Sequence, residues 1–534
     1  MSQHWDRGWR AALPAQLARE YDLLIIGGGI TGAGILLEAS RRGLKALLVE
    51  QRDFAWGTSS RSSKLVHGGL RYLKQGRVKL TREAVRERQA LLRDAPGLVQ
   101  NQGFAFADHA LRKPGRALFL VGLALYDLLA GRRERHYYGA NEFLMLAPNV
   151  GRDGLRGGMC YTDAKTDDAR LVLRVLQEAR AHGGVAVNYL RAKTLLRDGG
   201  KVCGAILDDV HEGGPECAGR KYEVRARLVI NATGAWADAL RGQTGAVAAL
   251  RPLRGSHLVL PAWRLPLSQA VSLMHPADGR PVFAFPWEGV TLVGTTDVDH
   301  ADGLANEASI TRAEFDYLLA ALHAQFPQMD LGEHDVIATY AGVRPVIDSG
   351  AGDPSEAGRE HALWLDDGML TISGGKLTTF RVIALDVLRR AMPLLPGWHD
   401  ALKPLPIFGK AAAPVSRTRV APSLLLRLRG RHGAQARALL DAAGAGELDP
   451  IAGTETVWAE LRWAARAEAV LRLEDLMLRR TRLGLQLRGG GVGQLARIRA
   501  ICQPELGWDD QRWDAEQAAY LALWNAHYGL PPQA

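Results

Sequence analysis

Hydrophobic positions fall into two textures along the chain. YDLLIIG (Tyr21–Gly27) and LKALLVE (Leu44–Glu50) are short, nearly unbroken apolar runs, the pattern of strands buried on both faces. Between them ITGAGILLEASRRG carries helix formers and ends at Gly43, a good helix stop. Strand, helix and strand within about 30 residues predict a parallel βαβ unit. Residues 60–150 read as mostly helix and loop, with a polar, Arg-rich stretch at 77–94. From about 185 the runs shorten. VAVNYL, KTLLRDGGKVCGAILDD and YEVRARLVINATG alternate β-rich segments with turns such as DGG, and HLVLP, VFAFPW and GVTLVGTTD continue the series. They predict an antiparallel sheet inserted into the first domain. IATYAGVRPVI and GMLTISGGKLTTFRVIALDVLRRAM then restore a strand, glycine turn and helix near residue 370. A linker is expected at 401–414, followed by a helical cap over 415–534.

Composition narrows the class. A chain of 534 residues is too long for one ordinary core, and 47% hydrophobic with 23% charged residues is a globular balance. The net charge of +10 permits attraction to a phosphate-bearing partner: nucleic acid, an anionic membrane or a phosphorylated small molecule. Cys160, Cys203, Cys217 and Cys502 form no CxxC pair and have no metal-ligand spacing with histidine, so no metal is expected and a reducing compartment is. The N-terminal stretch lacks the apolar core of a signal peptide, and no apolar run reaches the ~20 residues that span a bilayer. A cytoplasmic location is expected.

The first βαβ unit holds the most specific chemistry. Gly27, Gly29 and Gly32 spell GxGxxG at the strand-to-helix turn. The first glycine permits the tight turn, the second lets a pyrophosphate approach backbone amides, and the third lets helix and strand pack. Ile30 and Thr31 lie between them, where the helix opens. Glu50 ends the second strand, where a carboxylate can hold both ribose hydroxyls of an adenosine and disfavours a 2′-phosphate. The motif predicts a dinucleotide and leaves NAD and FAD open. FAWGTSSRSSKLVHGGLRYLKQG (54–76) adds Thr58, Ser59, Ser60 and Ser63 as donors to phosphate or flavin edges, and Gly68 and Gly69 let backbone pass close to a flat ring. The alternative for this segment is an N-cap cluster opening a surface helix. SGGKLTT is not a phosphate loop of the nucleotide-hydrolase kind, because Leu370 stands where the first glycine belongs and Leu377 where Ser or Thr must hold magnesium.

DLLIIGGGITGAGI, TSSRSSKLVHGGLRYL, YTDAKTDDARLV, NATGAWAD, RGSHLVLP, GTTDVD, AGVRPV and SGGKLTTFR, in this order, resemble the FAD-dependent glycerol-3-phosphate dehydrogenase family over residues 20–390. RAEAVLRLEDLMLRRTRLGL is similar to its C-terminal domain. The resemblance implies an α/β fold: a glutathione-reductase-type FAD-binding Rossmann domain (about 20–90, 155–250 and 345–400) carrying an inserted antiparallel-sheet substrate domain (about 90–155 and 250–345), with a helical cap. It implies FAD as cofactor, with Ala232, Thr233 and Gly234 as a second contact. It also implies that Gly374, Gly375, Lys376, Leu377 and Thr378 return the chain to the flavin.

The activity implied is oxidation of sn-glycerol 3-phosphate. Such a reaction needs a hydride acceptor, a base for the hydroxyl proton and a handle that fixes the substrate. Arg suits a phosphate handle because its planar fork binds two oxygens at once. Arg71, Tyr72, Arg344 and Lys376 are the family-matched candidates. His257 is the expected base, since a neutral imidazole accepts a proton near neutral pH, while His67 suits cofactor packing better. Arg344 can instead share the role by acidifying the substrate hydroxyl.

Without a haem signature, iron–sulfur spacing or redox CxxC, electrons are expected to leave the flavin directly, and the resemblance suggests membrane quinone as acceptor. LRKPGRALFLVGLALYDLLAGRRER (111–135) places an apolar stretch between Arg112, Lys113, Arg116 and Arg132, Arg133, Arg135, the pattern of an interfacial helix on an anionic membrane. A peripheral position on the inner membrane's cytoplasmic face, and a homo-oligomer, are the corresponding expectations. Two alternatives stand beside this reading. A glycerol-3-phosphate oxidase would make hydrogen peroxide, but nothing inserted is visible between 250 and 345, where that family's oxidases often carry extra sequence. An RNA-binding flavoprotein would use the cap's SRTRV, LRLRGRH and LMLRRTRLG, but their Leu-interleaved arginines read as a solvated amphipathic face, and no nucleic-acid partner is expected.

Overall fold

The computed structural model describes residues 5–70, 76–109, 116–131, 134–211, 219–348, 360–409 and 420–533. Two sheets organise it. In the first, parallel strands run in the order Met369–Gly374, Lys221–Asn231, Tyr21–Ile26, Ala46–Val49 and Val185–Val187. Their continuous apolar runs are explained by burial on both faces: Leu23, Leu24, Ile25, Leu47 and Leu48 are fully enclosed. The helix Ile30–Ser40 packs on the sheet beside the helices Asp168–Ala181 and Phe380–Ala391. Gly34 makes that crossing possible, since a Cβ there would sit 2.8 Å from the Phe380 ring. This is the expected Rossmann layer, with an antiparallel extension from Leu190–Asp198 and Lys201–Asp209.

The second sheet is mostly antiparallel, as the shortened runs predict. Its strand Leu250–Pro261 lies between Val290–Gly294 and Ala338–Ile347, so that His257 stands opposite Gly294 on one side and Tyr340 on the other. The strand Leu155–Thr166 also belongs to this sheet, paired with Val99–His109, and runs directly into the helix Asp168–Ala181 of the first layer. Among the described residues, no helix is long and apolar enough to cross a membrane.

Residues 420–533 are helical, among them Pro422–His432, Trp458–Ala467, Leu495–Leu506 and Asp510–His527. One expectation about this cap fails. Five of the arginines in LRLRGRH and LMLRRTRLG do not form a solvated face: Arg427, Arg431, Arg479, Arg480 and Arg482 are all buried, while the arginines of SRTRV lie outside the described residues. The RRTR run begins at the end of a π-helical segment, Leu476–Arg480, and its three guanidinium groups each bond a carboxylate of the first domain. Acidic partners wait there. Arg480 grips Asp53 with both terminal nitrogens (2.5 and 2.8 Å), Arg479 donates Nε to the same carboxylate (2.5 Å), and Arg482 reaches Asp168 (2.8 Å). Farther along, Arg170 forks onto Glu468 (2.6 and 2.8 Å) and Arg431 bonds Asp167 (2.9 Å). Burial alone would raise the Asp53 carboxyl, yet Arg480 and Arg479 hold it below the ordinary carboxylate range.

Candidate active site

A cleft of about 320 Å³ opens at the C-terminal end of the parallel strands, the usual ligand position in an open α/β sheet. Its floor is the GxGxxG turn. Gly27 has φ of 118°, and a Cβ on it would meet the Ala232 carbonyl at 2.5 Å. Gly32 lies deeper, where a Cβ would strike the Gly27 carbonyl at 2.0 Å, so it sets how closely helix and strand approach. Gly29 lines the cleft instead, and the nearest atom to a Cβ there is Ser59 Oγ at 3.1 Å. The sequence therefore leaves the backbone at Gly27 and Gly29 bare where it borders the cleft.

Glu50 lines the same cleft and accepts from the amides of Gly28 (2.7 Å) and Arg52 (2.9 Å). Burial pushes its carboxyl up, and those two amides pull part of the way back. Ser59 Oγ accepts from the Ile30 amide at 2.9 Å, capping the helix start. Thr58 also lines the cleft while its hydroxyl bonds the Val343 carbonyl. Ile30, Thr31, Ala232, Thr233 and Gly234 complete the nucleotide end.

The cleft is also lined by Pro345, next to Arg344, and by the turn Gly374, Gly375, Lys376 and Leu377. Gly374 and Gly375 take φ of 82° and 83°, and a Cβ on the first would meet the Glu360 carbonyl at 2.5 Å. Arg344 projects from the strand Ala338–Ile347 and is aligned by Asp297 (3.0 Å) and the Thr295 hydroxyl (3.0 Å).

Other expected residues stand behind the cleft wall. Thr378 is buried and donates to the His67 carbonyl at 3.3 Å. Gly68 gives its amide to Asp163 (3.0 Å) and is packed so tightly that a Cβ would lie 2.1 Å from the Tyr126 hydroxyl; Gly69 has φ of 83°. Ser60 is buried, its hydroxyl turned back to the Trp56 carbonyl. Ser63 Oγ meets His257 Nε2 at 2.9 Å. His257 is 1% exposed and stacks on Tyr340, with centroids 4.5 Å apart and planes 7° from parallel. Its Nδ1 has no hydrogen-bond partner among the described residues. Burial first, then the charges of Arg344 and Lys64, hold this imidazole well below its ordinary pKa. Arg71 and Tyr72 lie outside the described residues, as do Arg112, Lys113, Arg132 and Arg133.

Sequence reading missed several walls of the cleft. Trp56 and Trp236 line it with centroids 5.7 Å apart, and Trp236 is fixed by its Nε1 donating to the Leu304 carbonyl (2.8 Å). Each lies within a segment the sequence singles out, FAWGTSS and NATGAWAD, so an aromatic beside a cofactor turn was the available signal. Leu190 and Gln243 carried none, because only the antiparallel extension brings them to the cleft.

FAD fits these residues: bare backbone at a helix start, a carboxylate at the end of the second strand, and two aromatic walls. Comparison with known proteins agrees. Residues 22–382 match the family described as FAD dependent oxidoreductase, and residues 403–513 match the C-terminal domain of alpha-glycerophosphate oxidase. The aerobic glycerol-3-phosphate dehydrogenase of Bacillus subtilis is 42% identical over 372 residues, 68% of this chain and 66% of the relative. That of Staphylococcus haemolyticus is 40% identical over 376 residues, 69% of this chain and 66% of the relative. The matched stretch thus spans just under two thirds of these relatives' length. Among solved structures, the Bacillus halodurans glycerol-3-phosphate dehydrogenase complexed with FAD superposes with a TM-score of 0.74 at 26% identity, covering 97% of this chain and 98% of that one. The L-alpha-glycerophosphate oxidase of Mycoplasma pneumoniae shares the fold, with a TM-score of 0.56 at 19% identity over 73% of this chain and 97% of that one. The chain belongs to the FAD dependent oxidoreductase family, and FAD is its cofactor.

Proposed function

We propose that this protein oxidises sn-glycerol 3-phosphate to dihydroxyacetone phosphate and passes the electrons to a membrane quinone. The observation that carries the reading is Lys376 in the cleft wall, with Arg344 the residue before the lining Pro345. The relatives' names point to the same substrate. When bound, FAD supplies the hydride acceptor.

The chain's own residues do the rest. Gly27, Gly29, Gly32, Ile30 and Thr31 form the diphosphate cradle, and Glu50 takes the ribose. Arg344, pre-aligned by Asp297 and Thr295, receives the substrate phosphate as a fork, together with Lys376, Arg71 and Tyr72. The C2 hydroxyl proton is relayed through Ser63 Oγ to His257 Nε2, which that hydroxyl meets at 2.9 Å. In the free protein that imidazole is a poor acceptor, because it is buried between positive charges. An arriving phosphate dianion cancels part of that field, so substrate capture and base strength rise together.

The quinone reading is supported by the helix Arg116–Ala130. Leu123 and Tyr126 are buried, while Val121, Leu125 and Leu128 are 65%, 39% and 76% exposed on the opposite side. Such an apolar stripe suits docking on a bilayer without crossing it. Of the flanking cations, Arg135 is paired with Asp127 at 2.5 Å and Arg116 lies over the Tyr137 ring. Turnover tests the whole reading: soluble quinone must outpace oxygen as acceptor. Stoichiometric hydrogen peroxide in air would identify an oxidase instead.

A further inference from the structure

Lys64 has no part in the reaction above, yet it is fully buried beneath the reacting centre. Its ammonium donates to the Ser60 carbonyl (2.5 Å) and to Asp168 (2.9 Å). Arg482 of the cap donates to the same two acceptors, at 2.6 and 2.8 Å. Asp168 is further bonded by the amide and hydroxyl of Ser62, at 3.0 and 2.8 Å. Two buried cations therefore share one carbonyl and one carboxylate, and hydrogen bonding alone does not require the second. Burying a lysine costs free energy even when a carboxylate pairs it. Its cost is visible here: burial, then the neighbouring Arg482, pull the Lys64 ammonium down to about 7.

Its position suggests a role. Lys64 Nζ lies 4.7 Å from the centroid of the Tyr340 ring, which stacks on His257 and donates its hydroxyl to the Ser62 carbonyl (3.1 Å). The residue just before Lys64 is Ser63, whose Oγ meets His257 Nε2. Around the imidazole stand Ser63 from this turn, Tyr340 and Arg344 from one neighbouring strand, and Gly294 from the other. The charged groups acting on it are Arg344, itself paired with Asp297, and Lys64, paired with Asp168 and backed by Arg482 and Asp167. We propose that Lys64 is a positioning residue for the reacting centre: anchored by Asp168 beside the Tyr340–His257 stack, its charge adds to burial and to Arg344 in keeping the imidazole neutral and available to Ser63. The effect on rate rests on His257 being the base; the charge state of His257 does not, and can be measured directly.

The holoenzyme is labelled with [13Cε1]histidine, the His257 resonance is assigned by its loss in His257→Gln, and pH is varied. In the wild type this resonance should stay in its neutral form through the ordinary imidazole range, near 6.5, and titrate only well below it. Lys64→Met leaves Asp168 and the Ser60 carbonyl to Arg482, so neither acceptor is orphaned. In this variant the midpoint should rise by about one pH unit, a tenfold change in proton affinity, with FAD content unchanged. The acid limb of anaerobic flavin reduction by glycerol 3-phosphate should move up by the same amount. A purely structural lysine would alter the melting temperature and leave both profiles in place, which would overturn the proposal. Should Lys64→Met not fold, a wild-type His257 midpoint near the ordinary 6.5 overturns it equally. If His257→Gln reduces flavin at the wild-type rate, the base assignment falls, while the Lys64→Met resonance shift still decides the electrostatic claim.

Discussion

Replacing Arg480 by Met removes the double grip of the cap on Asp53. That carboxylate is fully buried and accepts from Arg480 Nη1 (2.5 Å) and Nη2 (2.8 Å), Arg479 Nε (2.5 Å) and Asn188 Nδ2 (3.0 Å). In Arg480→Met it keeps only the last two, and the Glu468 carbonyl loses its Nε donor at 2.8 Å. Breaking one side of a buried ion pair costs about 3–5 kcal/mol, because the surviving charge stays desolvated. Removing both charges should cost far less. In Asp53→Leu/Arg480→Met, Arg479 keeps Glu474 (2.9 Å) and Asp475 (2.6 Å), and Asn188 keeps the Ala469 carbonyl (3.0 Å). The double variant should recover all but about 1–2 kcal/mol. Urea unfolding of the holoenzyme at fixed FAD, followed by tryptophan fluorescence, measures this. A loss under about 1 kcal/mol in Arg480→Met, or simple additivity in the double variant, would refute the idea that this ion pair joins cap to flavin domain.

Gly32→Ala pushes a methyl group to 2.0 Å from the Gly27 carbonyl, and the turn must yield; overpacking of about 1–2 kcal/mol should weaken FAD binding roughly tenfold by flavin-fluorescence titration. Glu50 has a native pKa raised above its unfolded one, so native stability it contributes is lost as pH rises above the ordinary carboxylate range. Glu50→Gln should therefore lose less melting temperature than wild type between about pH 5 and 7, while its FAD affinity drops about tenfold as one ribose acceptor becomes a donor. Leu125→Asp/Leu128→Asp should abolish flotation with anionic vesicles and leave turnover with a soluble quinone intact.

Much of the fold was legible because the first layer obeys local rules. Continuous apolar runs gave the buried parallel strands, and Gly27, Gly29 and Gly32 marked the turn where backbone must be bare. The antiparallel sheet was readable from the short runs HLVLP, VFAFPW and GVTLVGTTD, whereas the DGG turn belongs to the extension of the first sheet. What escaped is tertiary. Nothing about RRTR distinguishes an exposed basic stripe from one facing Asp53 and Asp168, since those partners lie more than three hundred residues away in sequence. Likewise the spacing of Ser60 and Ser63 from Ser59 shows no difference, yet Ser59 faces the cleft while Ser60 turns inward and Ser63 meets His257. The hydroxyl cluster is one sequence feature performing three separate jobs, and only the bend of the loop separates them.

Anaerobic titration of the purified holoenzyme with glycerol 3-phosphate tests the central claim most directly. The flavin absorbance should bleach with one equivalent of substrate, and Arg344→Ala should suppress bleaching at least about a hundredfold while retaining its FAD, since it removes the aligned fork and leaves the nucleotide end untouched. Flavin that stays yellow under excess substrate, or bleaching in Arg344→Ala at the wild-type rate per bound FAD, would contradict the account.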